Sequence, residues 1–277
     1  MMLDSRNLDL SQAQVMAIVN LTPDSFYAAS RNITFEEVVR SVDRAVAEGA
    51  SIVDLGGYSS RPGAEDVSLE QEWSRVRMGL EAVRSVEGEV MVSIDTFRSE
   101  IVRRAYEEFG NFIVNDISAG ELDGDMLSIV ARYGLTYVAM HMRGVPQTMQ
   151  SLNHYESGVV HGVVDYFRSR VMELEASGIE RKNIILDPGF GFAKGPKQNY
   201  ELLTSLDSLV ELGYPLLVGL SRKSMIYKPL GLSAEDALPG SLALAWEALR
   251  AGAKIIRVHD VAPTRQIVDL YNYYNRA

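Results

Sequence analysis

The sequence contains no cysteine and only four histidines. Without thiols there is no disulfide framework, no thiolate zinc site and no thiol nucleophile, a composition that fits a cytoplasmic protein. Long apolar runs are missing too: none approaches the ~18 residues a membrane helix needs. Residues 1–13, MMLDSRNLDLSQA, hold no uninterrupted apolar stretch of the kind an export signal uses. Positive charge is the minority, 27 Lys and Arg against 37 Asp and Glu, a net charge of −10. A nucleic-acid partner needs an excess of cations to displace counterions from phosphates, and an anionic membrane surface needs the same. Both are therefore excluded as partners. If the ligand is anionic, its cations must be gathered locally against the overall balance.

What is present is a globular composition, 47% hydrophobic and 23% charged over 277 residues, too apolar for a disordered chain. A repeated grammar runs through it: a helical stretch ends in Gly, an apolar run follows, and a polar residue closes the run. The helix-ending glycines are Gly49, Gly88, Gly110, Gly134, Gly178, Gly213 and Gly252. Strands are expected at 16–19, 51–55, 90–94, 112–114, 136–140, 184–186, 216–219 and 254–258. Short continuous apolar runs between helices mark parallel strands buried on both faces. Helices are expected near 35–48, 69–86, 98–109, 122–133, 158–177, 199–212, 241–251 and 263–275, the first two opened by capping boxes, Thr34 with Glu37 and Ser68 with Gln71. Tyr271, Tyr273 and Tyr274 are expected to pack the last helix onto the body.

No linker, low-complexity tract or sequence repeat divides the chain, so residues 1–277 form one domain. Eight strands alternating with eight helices fit an α/β fold of the single (β/α)8 TIM-barrel type. A doubly wound sheet would call for G-x-G-x-x-G after an early strand, and none stands there.

A barrel of this kind works at the carboxyl ends of its strands. The polar residues there are Asn20, Asp54, Asp95, Asn115 with Asp116, His141, Asp187, Ser221 with Arg222 and Lys223, and Arg257 with His259. Any one of them could simply close a strand or cap a helix; all eight strand ends being polar favours a site. Asp95, Asn115 and Asp187 supply acceptors on separate strands, suited to a flat heterocycle rich in N–H donors. Arg61, Lys223, Arg257 and His259 supply the opposite charge, suited to a phosphate-type anion. The ligand is then donor-rich at one end and anionic at the other. His154 and His161 lie seven apart with no third ligand type between them and read as a surface face, not a metal site.

At these residues the sequence resembles dihydropteroate synthases, within the wider pterin-binding barrels. The matching segments are AIVNLTPDSF at 17–26, IVDLGGYSSRPG at 52–63, SIDT at 93–96, VNDIS at 114–118, ILDPGFGF at 185–192, GLSRKS at 219–224 and IRVHDV at 256–261. The resemblance implies condensation of a dihydropterin-methyl pyrophosphate with para-aminobenzoate, with Mg²⁺ as cofactor and a homodimeric assembly. It implies that Asp95, Asn115, Asp187, Phe190 and Lys223 hold the pterin, with Arg257 stacking on it. By the same resemblance Ser60, Arg61, Arg257 and His259 bind the pyrophosphate, and Phe26, Pro62 and Ser221 line the aminobenzoate site. Asn20 ligates the metal, and Arg61, Asp95 and Lys223 carry the catalysis. Four places depart from the family pattern. Ser60 and Ser241 stand for Thr, Tyr58 stands for Glu, and residues 27–31 replace an acidic, glycine-rich stretch. Three alternatives compete: a methyltransferase on the same barrel, a non-catalytic binding protein, and a barrel aldolase. A pterin-dependent methyltransferase would keep Asp95, Asn115 and Asp187 without needing the cations. A silent paralogue would bind but not turn over, and an aldolase would use Lys223 as a Schiff base.

Overall fold

The structure is a computed structural model that describes residues 3, 8–22, 33–58, 67–144 and 148–276. Eight parallel strands alternate with helices along it. In chain order they are β1 (Gln14–Asn20), α1 (Phe35–Ala47), β2 (Ile52–Gly56), α2 (Leu69–Ser85), β3 (Met91–Asp95), α3 (Ser99–Phe109), β4 (Ile113–Asp116), α4 (Met126–Tyr133) and β5 (Thr136–Met140). The second half runs α5 (Val159–Ala176), β6 (Ile184–Asp187), α6 (Pro196–Thr204), α7 (Asp207–Val210), β7 (Leu217–Val218), α8 (Ser224–Tyr227), α9 (Leu238–Arg250), β8 (Ile255–Val258) and α10 (Val261–Tyr274). Neighbouring strands pair in the order β6-β5-β4-β3-β2-β1-β8-β7. A bridge between Leu186 and Leu216 joins the two ends, so the sheet closes on itself as a (β/α)8 barrel.

Local chemistry explains where the helices start and stop. Both capping boxes form: Thr34 Oγ1 accepts the Glu37 N–H at 3.3 Å while Glu37 accepts the Thr34 N–H at 2.8 Å, and Ser68 with Gln71 repeats the pattern. Each thereby satisfies two N–H groups that the first helical turn leaves over. All seven glycines expected at helix ends have positive φ. At Gly134 the backbone is left-handed, φ 62° and ψ 37°, and its N–H closes α4 on the Ala131 and Val130 carbonyls. The single helix expected over 199–212 is instead two, α6 and α7. The Thr204 hydroxyl bonds back to the Tyr200 and Glu201 carbonyls, competing with the ladder just where it breaks. The stretch after β7 adds α8, and α9 begins three residues before the expected 241.

Strand alternation sorts side chains into two cores. Odd positions of β1 and β2, such as Val15, Ala17, Val53 and Leu55, face the helices. The barrel interior is floored by Met16, Ile52, Ile113, Val138, Ile185, Leu217 and Ile255, with Leu8 and Leu10 packed against them. Two residues further along β2, β3, β4, β6 and β8, the inward positions turn polar: Asp54, Ser93, Asn115, Asp187 and Arg257. Tyr271 packs against the core, but Tyr273 and Tyr274 are 73% and 65% exposed. The expectation that all three tyrosines pack the last helix onto the body is therefore corrected for Tyr273, which the helical period turns to water, while Tyr274, three residues beyond Tyr271, sets its ring 6.1 Å from that of Trp246 on α9. Among the described residues no helix is long and apolar enough to cross a membrane.

Candidate active site

The polar layer above the apolar floor is one hydrogen-bonded network centred on Asp54. This carboxylate is wholly buried. Its Oδ1 accepts from Ser93 Oγ at 2.6 Å, and its Oδ2 accepts from Asn115 Nδ2 at 3.0 Å and Arg257 Nε at 2.6 Å. The register places Asp54 opposite Ser93 and Asp95 opposite Asn115, so the pleat alone brings these groups together. A carboxylate can only accept, so Asp54 dictates that Asn115 turns its NH₂ inward and leaves its carbonyl oxygen for another donor.

Arg257 bridges this layer to the one above. Its Nη2 donates to Asp95 Oδ2 at 2.8 Å, making a three-member cluster of one cation and two carboxylates. Burial alone would lower the arginine, but Asp54 and Asp95 outweigh it and the guanidinium is held above its usual value. Burial pushes Asp95 up to about 7; Arg257 opposes that, and the negative charge of Asp54 adds to it. Behind Asp95, the buried carboxylate of Glu72 on α2 accepts from Thr96 Oγ1 at 2.6 Å and from Arg98 Nη1 at 2.8 Å. Burial raises Glu72 in turn.

On the opposite wall Asp187 ends β6. Burial raises its carboxyl, countered most by the charge of Lys223. Asp187 Oδ1 accepts the Gly189 N–H at 2.8 Å, and Lys223 Nζ donates to the Phe190 carbonyl. Burial brings Lys223 down to about 8, with Asp187 pulling it back up. A Cβ on Gly219 would lie 3.9 Å from both Arg257 Cβ and Lys223 Nζ, so these two cations flank one open position. Likewise a Cβ on Gly56 would lie 3.9 Å from both Asn20 Oδ1 and Asp95 Cβ. Asn20 itself is exposed at the end of β1. Ser221 Oγ pairs with His259 Nδ1 at 3.1 Å and accepts the His259 N–H at 3.2 Å.

The structure thus brings together Asn20, Asp95, Asn115, Asp187, Lys223 and Arg257 around the barrel mouth, with Ser221 and His259 joined to each other at the ends of β7 and β8. Phe190 is placed differently from the pocket wall expected of it. Its ring is wholly buried in the core between barrel and helices, and what it turns to Lys223 is its carbonyl. The ring facing Lys223 is Phe192, 5.0 Å from Nζ. The turn breaks regular alternation: Gly189 and Gly191 both have positive φ, so two side chains that a strand would put on one face leave on different sides. Phe26, Ser60, Arg61 and Pro62 lie outside the described residues.

Two strand-end groups, Asp116 and Arg222, turn out to be supports, as does Ser241 on α9. Asp116 accepts from Tyr137 Oη and from the Ser118 and Gly120 N–H groups, all on the helix side. Arg222, left-handed at φ 54°, forks onto Asp260 with two bonds of 2.8 Å. Ser241, where the family usually has Thr, still accepts the Arg222 N–H and donates to the Ala237 carbonyl, so the hydroxyl is what the position uses. His161 is exposed on α5 and His154 is exposed in the loop before it. Sequence reasoning assigned no role to Asp54, although its place at a strand end was visible. It also missed Lys194 and Glu72, which only the folded chain brings near the site.

Among the described residues no group of three or more His, Asp or Glu stands ready to hold a metal ion. A hard cation that keeps most of its waters needs less: one amide oxygen such as Asn20 Oδ1, with ligand phosphates completing the shell. The residues present fit Mg²⁺ on those terms.

The family of pterin binding enzymes matches residues 16–259. The dihydropteroate synthase of Haemophilus influenzae is 39% identical over 97% of this chain and 96% of its own. That of Escherichia coli is 42% identical over 93% of this chain and 90% of its own. The solved Yersinia pestis dihydropteroate synthase, in complex with a sulfonamide drug, superposes with a TM-score of 0.91 at 36% identity, each chain covered in full. The Xanthomonas albilineans synthase in complex with 7,8-dihydropteroate superposes with a TM-score of 0.85 at 34% identity, covering 98% of this chain and 96% of that one. Acceptors and cations at the mouth of a closed barrel, and likeness along nearly the whole chain, agree: this chain belongs to the dihydropteroate synthases, transferases among the pterin-binding enzymes.

Proposed function

We propose that the site joins a dihydropterin-methyl pyrophosphate to para-aminobenzoate, releasing pyrophosphate, by a largely dissociative substitution. The observation that carries the reading is the network itself, in which Asp95, Asn115 and Asp187 face inward from separate strands beside Lys223 and Arg257. Ionised Asp95 and Asp187, with the free oxygen of Asn115, accept the N–H groups along the heterocycle edge. Solved relatives hold 4-aminobenzoic acid and 7,8-dihydropteroate, the chemistry expected for a second substrate and a product.

The bond from the pterin methylene to the pyrophosphate oxygen breaks first, its electron pair leaving with the phosphate. The cationic methylene that remains is favoured by the carboxylates beneath the ring. The arylamine nitrogen then forms the new C–N bond and gives up a proton to solvent. It is already neutral near pH 7, so orientation matters more than a strong base. Mg²⁺, held by Asn20, waters and phosphate oxygens, would neutralise the charge growing on the leaving group. Ser60, Arg61, Arg257 and His259 are assigned to hold the pyrophosphate, with Arg257 also covering the pterin. Phe26, Pro62 and Ser221 are assigned to the aminobenzoate. We further read the protein as a cytoplasmic homodimer acting on small molecules; a net charge of −10 supports the absence of a nucleic-acid partner, and the family resemblance supports the dimer.

The test mixes the purified protein with Mg²⁺ and the pterin pyrophosphate, with and without para-aminobenzoate. Pyrophosphate release that requires the aminobenzoate supports the reading; no release in either mixture rejects it.

A further inference from the structure

Lys194 is only 4% exposed, and the reaction as drawn makes no use of it. Its Nζ lies 2.9 Å from His141 Nδ1, 3.0 Å from the Gly189 carbonyl oxygen and 3.1 Å from that of Phe192. An ammonium has three N–H donors, and these three acceptors match them one for one. His141 is buried against the rings of Tyr155, Tyr166 and Phe167. Burial holds its imidazole well below the ordinary range, and the charges of Lys194 and Arg143 push the same way. The ring is therefore neutral, and Nδ1 can accept. Burial also pulls Lys194 down, while Asp187 draws it back up and Lys223 opposes. Lys194 is thus seated within electrostatic reach of a carboxylate of the site.

The turn it grips has little freedom and much to hold. Gly189 is left-handed, and a Cβ there would fall 2.1 Å from the His141 carbonyl oxygen, so the turn rests directly on the end of β5. Its N–H is bound by Asp187 and its carbonyl by Lys194. The next carbonyl, of Phe190, takes the Lys223 ammonium. Two groups assigned to the pterin, on β6 and after β7, are thus tied to one turn that Lys194 also fastens, together with Asn199, which accepts the Gly191 N–H at 2.7 Å. Removing the lysine fastening takes the Lys194 donor from the Phe192 carbonyl and leaves the Gly189 carbonyl with the Phe192 N–H at 3.1 Å.

We propose that Lys194 is a positioning residue for pterin binding: by tying the Gly189 and Phe192 carbonyls to His141, it holds Asp187 and Lys223 at the separation the heterocycle requires. The inference rests on the pterin-binding reading of Asp187 and Lys223. The test compares the unaltered protein with Lys194→Met, which keeps the chain length and removes the donors, and Lys194→Gln, which keeps two N–H groups. Pterin affinity is followed by pterin fluorescence, kinetics by pyrophosphate release, and folding by thermal denaturation. For Lys194→Met the pterin Kd and KM should rise about tenfold or more, with kcat within about threefold and the aminobenzoate KM within about twofold. Lys194→Gln should lose less, and it decides the matter if the methionine variant fails to fold. Unchanged pterin affinity in a folded variant would overturn the proposal. So would a fall in kcat with both KM values disturbed alike, which is the mark of general structural damage. If the unaltered protein binds no pterin, the reading of the site itself fails, and this inference with it.

Discussion

Replacing Asp54 with Asn separates the role of its charge from that of its shape. Alanine would strand three donors, those of Ser93, Asn115 and Arg257, at about 1–3 kcal/mol each. That is comparable with the whole stability of a domain, about 5–15 kcal/mol, and would test folding rather than function. Asparagine fits the same space: its oxygen can face Asn115 and Arg257 while its NH₂ meets Ser93 Oγ. What is lost is the charge assistance to those bonds, about 2 kcal/mol in all, and a fall in Tm of roughly 4–8 °C follows for a chain of this size. Activity should suffer more. Arg257 keeps only Asp95 as a charged partner and the anchor of Asn115 is weakened, so kcat/KM for the pterin substrate should drop roughly thirty- to hundredfold. The pH profile carries the sign. Asp95 is pushed up to about 7 by burial, and the charge of Asp54 adds to that rise. Without that charge, and with Arg257 left to Asp95 alone, Asp95 ionises at lower pH, and the acid limb of kcat/KM moves down. Pyrophosphate release measured from about pH 5.5 to 9 reads both effects. Activity within about threefold of the unaltered protein, or an acid limb displaced upward, would refute the role given to Asp54.

In the unaltered protein, pterin binding should weaken as the pH falls through about 7, because Asp95 and Asp187 are both raised and must be ionised to accept; fluorescence titration shows whether it does. Tyr137→Phe removes the 2.7 Å bond to buried Asp116 on the helix side, so it should cost about 1.5–3 kcal/mol by denaturant melting and leave kcat unchanged. Gly189→Ala sets a methyl group on the His141 carbonyl at a left-handed position; calorimetry should show pterin affinity falling at least about tenfold. Removing divalent cations with a chelator should abolish turnover, and adding Mg²⁺ back should restore it, with pterin binding by fluorescence little altered.

Most of the barrel was legible because each signal is local. Glycine after a helix, an apolar run and a polar stop repeat along the chain, and one register step moves any residue to the other face. That is why Asp95, Asn115, Asp187 and Arg257 could be named from strand ends alone. What stayed hidden is what the pleat and the closure decide. Asp54 and Asp116 look alike in sequence, each following an apolar run; one points into the barrel and anchors the site, the other points out and anchors a loop. Phe190 and Phe192, two residues apart, are parted by the positive φ of Gly189 and Gly191. Lys194 and Glu72 gave no signal, because a lysine after a glycine turn and a glutamate in a helix's first turns are ordinary until a partner distant in sequence arrives. The break between α6 and α7 depends on one hydroxyl turning back on its own helix.

The cations themselves need rereading. In sequence, Lys223, Arg257 and His259 looked like a cluster waiting for an anion, but Arg257 is shared by two carboxylates and Lys223 stands against Asp187. Lys223 and Arg257 face Asp54, Asp95 and Asp187, and with Asp95 pushed up to about 7 this part of the site carries little net charge. Such a balance suits a neutral, polar heterocycle, which needs directed donors and acceptors more than a field. It also gives the bound pterin a way to share charge, since a positive centre forming on its methylene would stand over carboxylates already oriented by Arg257. Most of the attraction for pyrophosphate must then come from beside this network, from His259 at the rim and from the segment that carries Ser60 and Arg61, with Arg257 adding the charge its two carboxylates leave. If so, Arg61→Ala should weaken pyrophosphate binding strongly, while a pterin lacking the pyrophosphate binds with nearly unchanged affinity. Asp95→Ala should do the reverse, and calorimetry with the two ligands separately distinguishes them. Equal losses for both ligands in both variants would mean that the heterocycle and anion sites are not separate.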